Sequence, residues 1–98
     1  MKRNTKLADP KTILEVYYMY PHELNTKEIV RIFPRISSAT VARYKDAARD
    51  VMAERGIPRW SAYGVDTETA FEVWGINVKK LERSVRKQKE LSLATDAL

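Results

Sequence analysis

The chain has 98 residues, of which 44% are hydrophobic, with 18 Lys and Arg against 13 Asp and Glu, one His and no Cys. This length supports one hydrophobic core and hence a single domain over 1–98, and the lack of cysteine excludes disulfides and thiolate metal sites. No apolar run reaches the roughly 18 to 20 residues of a membrane span, and no signal-peptide core follows the first residues. We therefore expect a cytoplasmic protein with no membrane partner.

The net charge of +5 is concentrated in blocks. Residues 27–59 hold eight basic and four acidic side chains, and residues 78–90 hold six basic and two acidic ones, so each block carries +4. Residues 1–11 add +3, from four basic side chains and one acidic side chain. Clustered positive charge is typical of nucleic-acid-binding proteins, although many basic proteins bind no nucleic acid.

The first predicted helix follows residues 1–8, for which we expect a flexible basic arm. Asp9 is suited to accept the unpaired amide hydrogens at a helix start, and Pro10 is preset for the first helical position. The pattern predicts a helix over 10–20 that leaves almost no polar face and ends before Pro21. Its tyrosines are expected in the core or at the boundary of the core.

A second helix is predicted over 26–33, because Asn25 and Glu28 have the spacing of a capping box. It ends before Pro34, since the residue before a proline disfavours helical backbone. Its inward face consists of Ile29, Ile32 and Phe33.

A third helix is predicted over 39–55, with Ser37 or Ser38 as its N-cap and Gly56 as its end. Helical periodicity assigns its core face to Val41, Tyr44, Ala48, Val51 and Met52. The opposite face is free to meet a partner.

Residues 57–65 mix aromatic, β-branched and turn residues, which predicts two short extended segments or a small β-hairpin. A hairpin directly after the third helix has the position of a wing, the element that lies along the DNA flanking a recognition helix. Arg59 is suited to such a contact, whereas Trp60 is expected in the core.

Two more helices complete the prediction. Asp66 opens a fourth helix over 67–74, which buries an alanine and two aromatic residues. Asn77 caps a fifth helix over 78–90, and residues 92–98 are expected to be frayed.

The helices at 26–33 and 38–55, separated by a turn of about four residues, have the dimensions of a helix-turn-helix. In such a motif the first turns of the second helix enter the major groove, where Arg43 is suited to a bidentate contact with guanine. The candidate DNA-binding residues of this helix are Ser37, Ser38, Thr40, Arg43 and Tyr44. An ordinary helical hairpin with a solvated outer face is the alternative interpretation.

The basic fifth helix has three interpretations. Lys79, Lys80, Arg83 and Arg86 are candidate contacts to the DNA backbone. Alternatively, the helix covers the core with solvated Lys and Arg side chains. The third interpretation is a short dimer seam formed by Val78, Leu81 and Val85.

The sequence does not indicate an enzyme. His22 is the only histidine and the chain has no cysteine, which excludes zinc sites built from these residues and triads that need a second histidine. The three glycines are isolated and form no phosphate-binding loop. We expect no catalytic residue, no metal and no cofactor.

Residues 24–76 contain a short helix, a Ser-capped helix that begins Ser37-Ser-Ala-Thr-Val-Ala-Arg-Tyr44, the turn Gly56-Ile-Pro58, and a final helix from Val65-Asp-Thr-Glu to Trp74-Gly75. This pattern resembles the small winged-helix excisionases of the MerR-like type, and a small uncharacterised family encoded beside integrases in Gram-positive mobile elements.

The resemblance implies a mainly α fold, a winged helix-turn-helix of about five helices with a short β-hairpin wing. This core would span 9–76, followed by the basic C-terminal helix at 77–91. The implied function is that of a double-stranded DNA-binding protein of a phage or mobile element, acting as an architectural factor or a transcriptional regulator. A recombinase or another phage protein is then a partner.

Other functions fit the same pattern. A DNA-recognition module of a phage small terminase or replication protein has a similar plan. A protein-interaction module, such as an antirepressor or phage adaptor, would dock through the basic helix at 78–90. An RNA-binding protein is less favoured, because no four-stranded sheet with exposed aromatic residues is predicted. Both a homodimer and a cooperative assembly on DNA are left open.

Overall fold

The computed structural model describes residues 5–96, and the side chains of 5–93. The protein is mainly helical, with one two-stranded antiparallel sheet in this part of the chain. The elements in chain order are α1 (Pro10–Met19), β1 (Glu23–Leu24), α2 (Thr26–Ile32), α3 (Ser38–Arg55), β2 (Val65–Asp66), α4 (Thr67–Val73) and α5 (Val78–Asp96). None of these helices is long and apolar enough to cross a membrane.

The helix starts are set by local capping, as predicted. The Asp9 carboxylate accepts from the Thr12 amide at 3.3 Å and from the Thr12 hydroxyl at 2.6 Å. At α2 the Asn25 amide donates to Glu28 Oε1 at 3.1 Å, which is the Glu half of the capping box. Corresponding caps begin α3 at Ser37, α4 at Asp66 and α5 at Asn77.

The core is built from one face of each of the first four helices. Its inward residues on α2 and α3 are nearly all those that periodicity assigned, with Val51 only half-buried. Trp74, directly after α4, is 1% exposed, and its ring lies 5.8 Å from the ring of Phe33 and 5.9 Å from that of Tyr44. Its Nε1 donates to the Tyr44 carbonyl oxygen at 3.0 Å, which links the end of α4 to the first half of α3.

The predicted hairpin within 57–65 is wrong. Of those residues only Val65 lies in a strand, and β2 pairs with β1, which precedes α2, in the register Glu23↔Asp66 and Leu24↔Val65. Strand pairing depends on distant segments and not on local alternation, so the sequence window that contained the turn residues could not reveal the partner. The sheet fixes the start of α2 beside the start of α4.

Both ends of the chain differ from the prediction. Of the predicted flexible arm, residues 1–4 lie outside the described residues, but Ala8 donates its amide to the Ile32 carbonyl at 2.8 Å and packs with Leu7 against the core. At the other end α5 continues to Asp96, through most of the tail that was expected to be frayed. These residues extend a helix that is already formed, so each one adds a hydrogen bond without the cost of a new nucleus. Residues 97–98 are outside the described part of the chain.

Candidate nucleic-acid interface

The turn between α2 and α3 presents the first turn of α3 to solvent. The Ile36 amide donates to the Phe33 carbonyl at 3.1 Å, and Ser37 then caps α3 by accepting from the Thr40 amide at 3.2 Å. The Thr40 hydroxyl oxygen accepts twice, from Ser37 Oγ at 2.9 Å and from Arg43 Nη2 at 3.3 Å. These contacts orient Arg43 toward the amino end of α3, where the helix dipole is positive.

The outer face of the first half of α3 carries small and basic side chains. Ser38, Ala39, Ala42 and Arg43 are all exposed on this face, while Val41 is buried behind them. Small side chains around one long cation let a flat or grooved partner approach the helix backbone closely. The structure thus brings together four of the predicted site residues: Ser37, Ser38, Thr40 and Arg43.

The segment from 27 to 45, which contains α2 and the first part of α3, holds five basic residues and one acidic residue. One of the five, Arg31, lies 3.7 Å from the Glu15 carboxylate of α1. Between positions 27 and 45 the only acidic residue is Glu28, which is 7% exposed and held in the capping box of α2. The basic residues of the same stretch are Lys27, Arg31, Arg35, Arg43 and Lys45. Acidic residues appear on the outer face of α3 only from Asp46 onward.

Tyr44 is removed from the candidate contact residues. Its ring is 3% exposed and packs edge-on against Phe33 with a centroid distance of 5.2 Å, and its hydroxyl donates to Thr5 Oγ1 at 3.0 Å. A tyrosine in this position supports the core and holds the start of the chain, so it cannot reach a partner without unpacking α3.

A groove of about 430 Å³ lies between α2, α3 and Tyr63. At its side the Lys45 ammonium donates to Thr26 Oγ1 at 2.9 Å, which ties the middle of α3 to the first residue of α2. Partial burial lowers the pKa of Lys45 from its usual value, and the nearby Arg49 cation lowers it further. Neither Lys45 nor Arg49 was a predicted site residue, since their partners come from other segments.

The loop at 57–64 is braced against the rest of the fold although it forms no hairpin. The Ala62 carbonyl accepts from Arg49 at 3.2 Å and from Arg59. Ser61 Oγ donates to Glu23 Oε1 at 3.0 Å and accepts from the Gly64 amide at 3.0 Å. Arg59, a predicted DNA contact, is exposed at this loop, with part of its hydrogen bonding already used within the loop.

Two aromatic side chains project from this braced loop. Trp60 is 67% exposed and Tyr63 is 75% exposed. The prediction that Trp60 belongs to the core is wrong: its ring lies against the His22 ring, with centroids 5.9 Å apart, on the surface of the molecule. Position 60 falls within neither a helix nor a strand, so no periodicity could assign its side chain to a face.

The remaining predicted site residues form a separate group on α5. Lys79, Lys80 and Arg83 are all exposed. Their helix packs against α1, whereas α3 packs against α4 and β2. The α5 group is therefore carried by a different part of the fold from the α3 group.

The chain matches no family model, no curated protein and no solved structure. Within residues 5–96 no three His, Cys, Asp or Glu side chains are grouped as a metal site would require. The features that remain are the exposed positive half of α3, the braced loop with its two aromatic residues, and the basic face of α5.

Proposed function

We propose that this protein binds double-stranded DNA through a helix-turn-helix formed by α2 and α3, with the loop at 57–64 in the position of a wing. The observation that carries the proposal is the outer face of the first half of α3. Over residues 38–45 this face has no acidic side chain, and the first one, Asp46, follows Arg43 by three positions. Arg43 is exposed and its Nη2 donates to Thr40 Oγ1 at 3.3 Å.

The dimensions and chemistry of this face fit a DNA major groove. A groove about 12 Å wide admits one α-helix, and the amino end of that helix attracts phosphate oxygens. Ser37 and Ser38 at the start of α3 are suited to phosphate contacts, which position the protein. Arg43, one turn further on, can reach the O6 and N7 acceptors of guanine with its forked donors. The small side chains of Ala39 and Ala42 keep the helix close to the base edges.

The loop at 57–64 supports the same orientation. It follows α3 directly, and its contacts to Arg49 and Glu23 hold Arg59 and Trp60 in place without burying them. Arginine is favoured near a narrow minor groove, and an aromatic ring can pack on the adjacent sugars. We assign the protein to the regulators or architectural factors of phages and mobile elements on the sequence resemblance, with this loop as its wing.

The deciding experiment is selection of bound fragments from a random duplex library at physiological salt. Enrichment of a motif is expected, and an Arg43→Ala variant should relax the preference at one position of that motif. Arg55→Ala is the matched control, because Arg55 lies on the same helix but at its other end. There its Nη1 and Nη2 donate to the Glu72 carboxylate at 2.7 and 2.9 Å. Failure of the wild-type protein to enrich any sequence would contradict sequence-specific binding.

Trp60 provides an independent optical test. The chain has two tryptophans, and Trp74 is buried, so any ligand-dependent change of emission should come from Trp60. We expect the selected duplex to change the intensity or wavelength of the wild-type emission, and the Trp60→Phe variant to lose that change while retaining the buried signal. An unchanged emission on saturation with DNA would place the loop outside the interface.

A further inference from the structure

The outer face of α5 carries a continuous row of cations, which we call the α5 basic stripe. Its members recur at intervals of three and four residues, so they lie above one another along one side of the helix. All of them are exposed. The α5 basic stripe consists of Lys79, Lys80, Arg83, Arg86 and Lys87.

The acidic residue within this stretch points elsewhere. Glu82 is half-buried and accepts a hydrogen bond from the Tyr18 hydroxyl of α1, on the side by which α5 packs on the fold. Leu81 packs toward the core on the same side. Among the described residues, the ion pairs join Arg31 to Glu15, Arg49 to Asp46 and Arg55 to Glu72, and none involves the stripe. No described ion pair therefore engages the stripe, and its cations face solvent.

The second half of α5 extends beyond the residues by which this helix packs on the core. Its 19 residues span roughly 28 Å, and every described side chain from position 86 to 93 is exposed. Isolated helical segments of this length are marginal in water, because propagation yields little without packing. A ligand along the outer face would stabilise the projecting half, and neutralising a row of like charges would add to that stabilisation.

We propose that the α5 basic stripe binds the phosphate backbone of duplex DNA beyond the bases contacted by α3. This inference rests on the proposed function for the choice of duplex DNA, whereas the stripe itself is independent of α3. Phosphate contacts need only correctly spaced cations, and five of them lie along about 12 Å of helix.

The side chains of the stripe favour a polyanion over a protein partner. Protein interfaces are depleted in lysine, and their energy comes mainly from aromatic, arginine and apolar anchors at the centre of the contact. The exposed large hydrophobic residues of α5 are Leu91 and Leu93, beyond the stripe, and none lies between Lys79 and Glu90. A second copy of α5 is disfavoured as an occupant, because two such stripes would repel each other.

The test compares two triple variants of equal charge change in the full chain. In the stripe variant Lys80, Arg83 and Lys87 are replaced by glutamine. In the control variant Lys6, Lys11 and Arg55 are replaced by glutamine, which removes three exposed cations that lie outside α5 and outside the first turns of α3. The affinity for an unrelated duplex and for the selected duplex is measured against salt concentration, and circular dichroism checks that both variants are folded.

In the stripe variant, the plot of log K against log salt, where K is the binding constant for DNA, should be less steep by up to about 2.7. Each lost phosphate contact reduces the steepness of this plot by about 0.9. The loss should be similar on both duplexes, and the control variant should keep a slope close to that of the wild type. If the slope decreases equally in the two triple variants, net charge alone accounts for the effect and the proposal is overturned. An unchanged slope in the stripe variant would also overturn it, and an acidic protein would then be the ligand to seek.

The two proposals fail separately in this design. Suppose that the wild-type protein enriches no sequence, but the stripe variant shows a weaker salt dependence than the wild type on an unrelated duplex. Sequence-specific binding by α3 is then contradicted, and phosphate binding by the stripe is supported. If a motif is enriched but the stripe variant keeps the wild-type slope, the stripe fails and α3 stands.

Discussion

Replacement of Trp74 by alanine is expected to reduce the free energy of unfolding by roughly 3 to 5 kcal/mol, the usual range for deleting a buried aromatic ring. The ring is 1% exposed, contacts the rings of Phe33 and Tyr44, and donates from Nε1 to the Tyr44 carbonyl. A domain of this size has a total stability of about 5 to 15 kcal/mol, so the substitution should remove from roughly a fifth of that stability to all of it. Urea denaturation followed by circular dichroism measures the change.

Trp60→Ala is the matched control, because it removes the same side chain from the surface. Its effect on stability should stay within about 0.5 kcal/mol. Trp74→Phe keeps a six-membered ring in the core but loses the five-membered ring together with its Nε1 donor, so it should cost less than the alanine variant. Similar losses in Trp60→Ala and Trp74→Ala would contradict the assignment of one ring to the surface and the other to the core.

Trp74 also matters for the proposed interface. Its Nε1 donates to the carbonyl oxygen of Tyr44, the residue that follows Arg43 in the chain, so the end of α4 supports this part of α3. A partly destabilised variant such as Trp74→Phe is therefore expected to weaken DNA binding as well as folding, although Trp74 itself touches no ligand.

The helices were predictable because their signals are local. Asp9, Asn25, Ser37, Asp66 and Asn77 each accept from or pair with residues three positions away, and such spacings can be read directly from the chain. The two faces of α3 were also predictable from helical periodicity. Periodicity assigned Tyr44 to the core face, although Tyr44 was also among the candidate DNA contacts. The burial of its ring agrees with the core assignment.

Features set by distant segments were not predictable. The partner of β2 is β1, on the other side of α2 and α3 in the chain, and no pattern within 57–65 contains that information. The exposure of Trp60 has the same cause, because the loop that carries it is held by Arg49 and Glu23 and forms no hairpin. The docking of Ala8 on Ile32 likewise depends on a contact between distant segments.

Arg43→Ala is expected to weaken binding to the selected duplex by roughly 1 to 3 kcal/mol, or about 5- to 150-fold. The reason is loss of a two-point contact to one base, so affinity for a duplex mutated at that base should change far less. Stability should be nearly unaffected, because Arg43 is exposed and its described polar contact is to the neighbouring Thr40. Titrations of both duplexes at one salt concentration measure the difference.

Arg43→Lys decides what kind of contact is lost. Lysine keeps the charge but lacks the planar fork, so it should retain most of the phosphate-driven affinity while losing much of the preference for the one base. If Arg43→Lys and the wild type discriminate equally, Arg43 acts as a point charge on the backbone. If Arg43→Ala weakens binding to every duplex by the same factor, base reading must be assigned to another residue of α3.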